Sequence, residues 1–249
     1  MKREAGRFFA PVLAVGLVLL AWGILAAALD NPALPGPFPS LRALVQVSPS
    51  LWPHFLTSLY RVAASLLIGL VAAAPLGLVL GRHRLLDILL TPAAYLIYPV
   101  PKIAFLPVVF LLLGIGDAAR VLLITMIVFF QILVTTRDAA RSIPYHSVLS
   151  VVSLGAGPMA VYRHVIIPAC LPKILTALRV SLGSAVSVLF FSETVAGTSG
   201  LGYFILNAMY RAEYAQMLAG IIAMSLLGLL LYGLIEWLER RWCAWQFVT

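Results

Sequence analysis

Two charged side chains lie inside strongly apolar stretches, and they are where chemistry could occur. Lys102 sits in Tyr98-Pro99-Val100-Pro101-Lys102-Ile103-Ala104-Phe105-Leu106-Pro107. Glu193 sits in Phe191-Ser192-Glu193-Thr194-Val195, followed by Gly197-Thr198-Ser199-Gly200-Leu201-Gly202-Tyr203. A charge held at mid-membrane costs roughly 2.5–3.5 kcal/mol on insertion scales unless it meets water or a partner. Lys102 therefore has two readings: it attracts an anion along a permeation path, or it snorkels or pairs internally. Glu193 also has two. It can couple transport to a proton or sodium ion, or it can accept bonds from the glycine-rich turn that follows it. Gln131 and Ser187 add polar groups to two further apolar stretches and complete a candidate pathway set. The alternatives are poorer. No nucleophile stands beside a base, and no Cys/His cluster has the spacing of a metal site. No glycine-rich Lys-Ser/Thr loop is present to cradle a nucleotide.

The elements that must hold these groups are membrane helices. The chain of 249 residues is 62% hydrophobic and 10% charged, with a mean hydropathy of +1.04. A soluble domain needs far more polar surface than that. The expected fold is an all-α membrane protein of about six transmembrane helices at about 20 residues each. The apolar runs lie at about 8–29, 56–80, 92–113, 118–136, 174–196 and 214–238. The first follows a basic start, Lys2, Arg3 and Arg7, but exceeds the apolar core of about 7–15 residues of a signal peptide, so it reads as a retained span. Residues 30–53 carry Pro32, Pro35, Pro37, Pro39, Pro49 and Pro53 and read as an extended external connector. In the second span, Ser65, Gly69, Ala73, Gly77 and Gly81 recur every four residues, a ridge on which another helix can pack closely. Pro99, Pro101 and Pro107 break the third. Domain organisation follows as 1–55 for the first helix and connector, 56–241 for a five-helix core and 242–249 for a tail. Cys170 and Cys243 both fall on the side read as cytoplasmic, so a disulfide is not expected.

One stretch, 149–172, is too polar and too long for a simple turn between spans. A helical turn or two can form near Leu149, Ser150, Val151 and Leu154, which Gly155-Ala156-Gly157-Pro158 then breaks. A second short helix can run from Met159 past Val165 to Ile167, with Pro168 and Pro172 closing the unit. A helix–Gly–helix unit between two spans suits the transfer of movement from a soluble partner to the membrane core.

This stretch resembles the coupling loop of permease subunits of bacterial ABC importers, which reads Glu-Ala-Ala, three residues, Gly, nine residues, Ile, one residue, Leu-Pro. Gly155 takes the Gly position, Val165 the Ile, Ile167 the Leu and Pro168 the Pro. The Glu-Ala-Ala positions fall on Leu149, Ser150 and Val151, so the acidic residue is missing. The fragments around Lys102 and Glu193 also resemble the nitrate/sulfonate/taurine branch of these permeases. The resemblance covers roughly 56–241. It implies an ABC importer type I permease-like bundle with no enzymatic activity or cofactor of its own. ATP and Mg would be bound by a separate dimer of ATP-binding subunits. A second permease copy, forming a homodimer, and an external substrate-binding protein would complete the assembly. The implied coupling residues are Leu149, Ser150, Val151, Leu154, Gly155, Ala156, Met159, Val165, Ile167 and Pro168. The implied solute is a small anion such as a sulfonate, taurine or nitrate. An ion-coupled secondary transporter using Glu193 is the other class to weigh.

Lys and Arg placement sets the orientation. With both termini inside, the inner set is Lys2, Arg3, Arg7, Arg82, Arg84, Arg137, Arg141, Arg163, Lys173, Arg179, Arg240 and Arg241. The outer set is Arg42, Arg61, Arg120 and Arg211. This asymmetry fits the positive-inside rule and a multi-pass protein of the bacterial inner membrane in contact with lipid. The net charge of +8 is then a topology signal, with no aromatic-interleaved patch for nucleic acid.

Overall fold

A computed structural model describes residues 2–246, with side chains from residue 13 onward. Every regular element among the described residues is helical. The order is α1 Lys2–Leu29, α2 Pro37–Arg82, α3 Arg84–Ile97, α4 Leu106–Leu113, α5 Asp117–Arg141, α6 Tyr145–Val152, α7 Pro158–Val161, α8 Ile167–Thr194, α9 Leu201–Tyr210 and α10 Tyr214–Trp242. Four helical runs are long and apolar enough to cross a membrane: α2, α5, α10 and the run Pro158–Thr194 that ends in α8. The pair formed by α3 and Lys102–Leu113 makes a fifth if its 80° bend is counted within one span. The apolar part of α1, Leu13–Leu29, is shorter.

The core is the contact of α2 with α5 and of α5 with α8. The four-residue ridge on α2 lies in the first of these contacts. A Cβ added at Gly77 would stand 2.8 Å from the Leu133 carbonyl oxygen, and one at Gly81 2.5 Å from that of Arg137. Ala73 is fully buried, and Ser65 donates to the Val121 carbonyl at 3.1 Å. Backbones approach this closely only where side chains are absent or small, and that closeness supplies the dispersion contacts that join helices in lipid.

Three expectations about the chain's course are corrected. Residues 37–53 are not an extended connector. They are the first turns of α2, which runs on for 46 residues with Pro49, Pro53 and Pro75 inside it. Pro37 and Pro39 occupy its first turn, where no N–H is required. The Val45 carbonyl, which the missing N–H of Pro49 leaves free, accepts from the Ser48 hydroxyl at 2.8 Å. The connector shrinks to 30–36. At about 1.5 Å per residue α2 is roughly 70 Å long, so part of it lies beyond a hydrocarbon layer of about 30 Å.

The third span is broken, as Pro99 and Pro101 lead one to expect, but its start lies earlier than residue 92, and Pro107 sits in the first turn of α4 instead of breaking the helix. It begins at Arg84, one residue after α2 ends, and breaks at 98–101 before α4. The loop unit also differs. Its first helix is Tyr145–Val152, and Pro168 and Pro172 do not close it. Pro158–Val161 passes through a π turn, Tyr162–Ile166, directly into α8. The wider π turn lies just ahead of Pro168, whose ring would otherwise press on the carbonyl four residues back.

Candidate functional site

Glu193 lies near the end of α8 and has no exposed surface. Its carboxylate is enclosed from four directions. The Ser58 hydroxyl donates to it at 2.8 Å, and the Gly202 N–H donates to Oε2 at 2.8 Å. Arg61 Nη1 donates to Oε1 at 2.7 Å. Gly200, at φ +104, brings its Cα against the carboxylate face. The turn is fixed further: the Leu201 N–H donates to Ser58 Oγ at 2.8 Å and the Gly200 N–H to His54 Nδ1 at 3.1 Å. The glycines after Glu193 are thus the residue types that let backbone close around a carboxylate.

Arg61 and Arg120, counted in the sequence as outer topology charges, are buried inside the bundle. Arg61 is 2% exposed. Its guanidinium also donates to Asp117 Oδ1 from Nε at 2.8 Å and Nη2 at 2.6 Å, and to the Ser199 carbonyl and hydroxyl. Arg120 donates from Nε to the Ser192 carbonyl at 3.0 Å and stacks over Phe110. Two guanidinium groups and two carboxylates therefore balance in charge, and they tie α2, α5, α8 and the turn before α9 together at one end of the bundle. Sequence reasoning missed Arg61, though Glu193 in an apolar helix needed a counter-charge, and a cation eight residues short of the α2 glycine ridge at Gly69 was the nearest one on that helix.

Lys102 stands at the break between α3 and α4. Its ammonium is turned inward and donates to the carbonyls of Ile97, at 2.7 Å, and Tyr98. The rings of Tyr98 and Phe130 flank it. A cation on the free carbonyls of a helix C-terminus is favourable through both hydrogen bonds and the helix dipole. Gln131 is half-buried on α5. Ser187 is exposed on α8 and donates to the Gly183 carbonyl at 2.9 Å. It lines a cavity of about 890 Å³ between α8, α9 and α10, with Gly183, Ser225 and Gly228 giving the room and Arg179 and Tyr232 at one end. Lys102, Gln131, Ser187 and Glu193 do not converge on one point.

The loop residues do share a surface, at the end of the bundle away from Glu193. Leu149 and Ser150 are exposed on α6, and Val151 is half-buried. Leu154 is 87% and Met159 79% exposed. Between them Gly155 takes φ +85, and Ala156, whose N–H donates to the Val151 carbonyl at 3.3 Å, packs against the core. Val165 falls in the π turn, and Ile167 and Pro168 open α8. Large apolar side chains are thus displayed together on a short turn based on packed helices, a surface of the kind a partner can cover.

The fold, with a charge-knotted end and an exposed apolar loop joined by packed apolar helices, is that of a multi-pass membrane protein. Residues 65–242 match the family described as binding-protein-dependent transport system inner membrane component, and the chain belongs to it. The taurine transport system permease protein TauC of Escherichia coli (strain K12) is 30% identical over 238 residues, covering 92% of this chain and 86% of that protein. Among solved structures, inward-facing forms of the MetNI methionine ABC transporter superpose with TM-scores of 0.64 and 0.60 at 20% identity. They cover 78% of this chain and 98% and 95% of theirs. That likeness concerns the fold alone. The chain is an ABC importer permease subunit.

Proposed function

We propose that two copies of this chain form the pathway of an importer for small organic sulfonates. A dimer of ATP-binding subunits docks on the loop from α6 to α7 and a substrate-binding protein on the opposite side. The observation that carries this reading is the display of Leu149, Leu154 and Met159 about the turn at Gly155, at the foot of both α5 and α8. The loop then faces the cytoplasm, both termini lie inside, and the partner ATPase holds ATP and Mg. Alternating access follows from movement of the loop against the bundle. The sulfonate class is supported by the relationship to the taurine permease. The cavity beside Ser187 provides a wall for the pathway, with small residues that leave room for a solute. Glu193 already accepts three bonds from within the protein, which leaves an ion-coupled mechanism no open ligand position.

Co-purification with an ATPase chain tests the reading, followed by ATP hydrolysis across taurine, alkanesulfonates and nitrate. Hydrolysis stimulated by the sulfonates is expected. Full transport by this chain alone would overturn it. Lys102 is assigned to the break between α3 and α4, as the cap that holds the bend. Lys102→Met is accordingly expected to lower transport of every solute alike, with their order of preference unchanged. A loss confined to anionic solutes, read as a rise in KM, would return Lys102 to the pathway.

A further inference from the structure

The helix α3 is weakly held by packing. Of its 14 residues only Thr91 and Ala94 are buried, and it meets the segment after it at 80°. Beyond Ala94, which joins the apolar core, its link to α5 is polar and confined to one face, where Asp87, Thr91 and Tyr95 recur every four residues. The Asp87 carboxylate receives a two-pronged guanidinium: Arg137 Nε to Oδ1 at 2.6 Å and Nη2 to Oδ2 at 2.7 Å. Arg141 adds Nη1 to Oδ2 at 3.1 Å, and the Thr91 hydroxyl donates to Oδ1 at 2.6 Å. One turn along, the Tyr95 hydroxyl donates to Asp138 at 3.1 Å, and Arg137 Nη1 joins that carboxylate at 2.6 Å. Asp87 and Arg137 are both largely buried. A bidentate, shielded pair of this kind is geometrically specific in a way that an exposed pair is not.

The position of the clasp in the chain matters as much as its strength. Arg137, Asp138 and Arg141 form the last turn of α5, and only Ser142-Ile143-Pro144 separates them from α6. Lys173 of α8 reaches back to the Ser142 hydroxyl at 3.3 Å. The connection between loop and bundle is thus short on both sides, and a displacement of α6 must be taken up by the last turn of α5. We propose that the Asp87 clasp transmits this displacement to α3, swinging the broken arm of α3 and α4 while the opposite end of the bundle, tied by Arg61, stays fixed. Asp87 is a positioning residue: its carboxylate is taken up by Arg137, Arg141 and Thr91. The proposal rests on the loop's reading as the ATPase docking surface.

The test uses the complex purified with its ATPase, carrying spin labels at Leu89→Cys on α3 and Leu226→Cys on α10, both exposed positions. The interlabel distance is read with and without ATP and vanadate, beside solute transported per ATP hydrolysed. In the otherwise native complex the distance should shift on trapping. Asp87→Asn should abolish the shift and lower transport per ATP at least about fivefold, the lower range of a typical coupling between sites, while ATP hydrolysis continues. Asp87→Glu should restore both. A native complex that neither binds nor stimulates an ATPase would remove the underlying reading of the loop. A native complex that couples, with Asp87→Asn equal to it in shift and transport, would overturn the clasp alone. Should Asp87→Asn fail to assemble, Tyr95→Phe decides, because it removes only the outer bond to Asp138. A reduced shift supports the clasp, and an unchanged shift and transport ratio overturn it.

Discussion

Gly200→Ala is expected to leave almost no folded permease in the membrane. Two costs combine at this position. The backbone φ of +104 is one that a residue with a Cβ resists, at about 1–2 kcal/mol. The added methyl would also fall within the Glu193 carboxylate, since its three nearest neighbours are that group's own atoms. The carboxylate has nowhere to retreat, because Ser58, Arg61 and the Gly202 N–H hold it from the other sides. Displacing it separates a buried pair, a change that typically costs about 3–5 kcal/mol. Together these approach the whole stability of an ordinary domain, about 5–15 kcal/mol. Size-exclusion profiles and thermal melting in detergent provide the measurement. Gly183→Ala is the control, because a Cβ there meets nothing within 4 Å. Equal yield and melting temperature for both variants would show that the turn tolerates rearrangement and that the carboxylate cage is not what holds this end together.

Gly155→Val is expected to do the opposite: the protein folds, and transport fails. A Cβ at Gly155 meets nothing within 4 Å of the chain itself, so the cost within the permease is only that of the positive φ. The side chain instead projects from the turn between Leu154 and Met159, where the ATPase groove must close. Transport should fall by an order of magnitude or more, if docking loses the roughly 1.4 kcal/mol that corresponds to tenfold. The ATPase should either dissociate or hydrolyse ATP regardless of solute. Leu149, Ser150 and Val151 supply no carboxylate at the position where related loops have Glu, so docking rests on apolar contact. High salt screens charges and leaves apolar burial intact. Co-purification of the ATPase with the native chain should therefore survive a salt series that Gly155→Val does not need in order to fail. Solute-coupled transport by the variant at the native rate would reduce the loop to a connector.

How much of this was legible depends on which physical rule the residues obeyed. The ridge from Ser65 to Gly81 was readable because small side chains at a four-residue period have one geometric use in lipid, and α5 lies on it. The helix–Gly–helix character of the loop was readable from Gly155 and Pro158, though its limits were not. Proline marked the break at Pro99 and Pro101 correctly but misled at the start of α2 and at the end of the loop. In α2 the Ser48 hydroxyl satisfies the carbonyl that Pro49 frees, and before α8 a π turn relieves Pro168. Neither remedy has a signature in composition. The partners of Glu193 were hidden for another reason. Arg61 stands 132 residues earlier, near the outer end of the second apolar run, so its charge was assigned to orientation. Asp87 gave no local signal at all, since its worth lies in Arg137, 50 residues on.

The long separation between Arg61 and Glu193 also bears on how the protein is made. Arg61 enters the membrane with α2, while the codon for Glu193 is still 132 residues away. At a synthesis rate of about 5–20 residues per second, the arginine waits on the order of ten seconds for its final counter-ion. Asp117 emerges after only 56 residues, and it already grips two nitrogens of the same guanidinium. It can serve as the interim ligand that keeps the half-inserted chain in place until α8 arrives. The partly exposed carboxylate of Asp117 is thus placed to hold Arg61 before the rest of the cage exists.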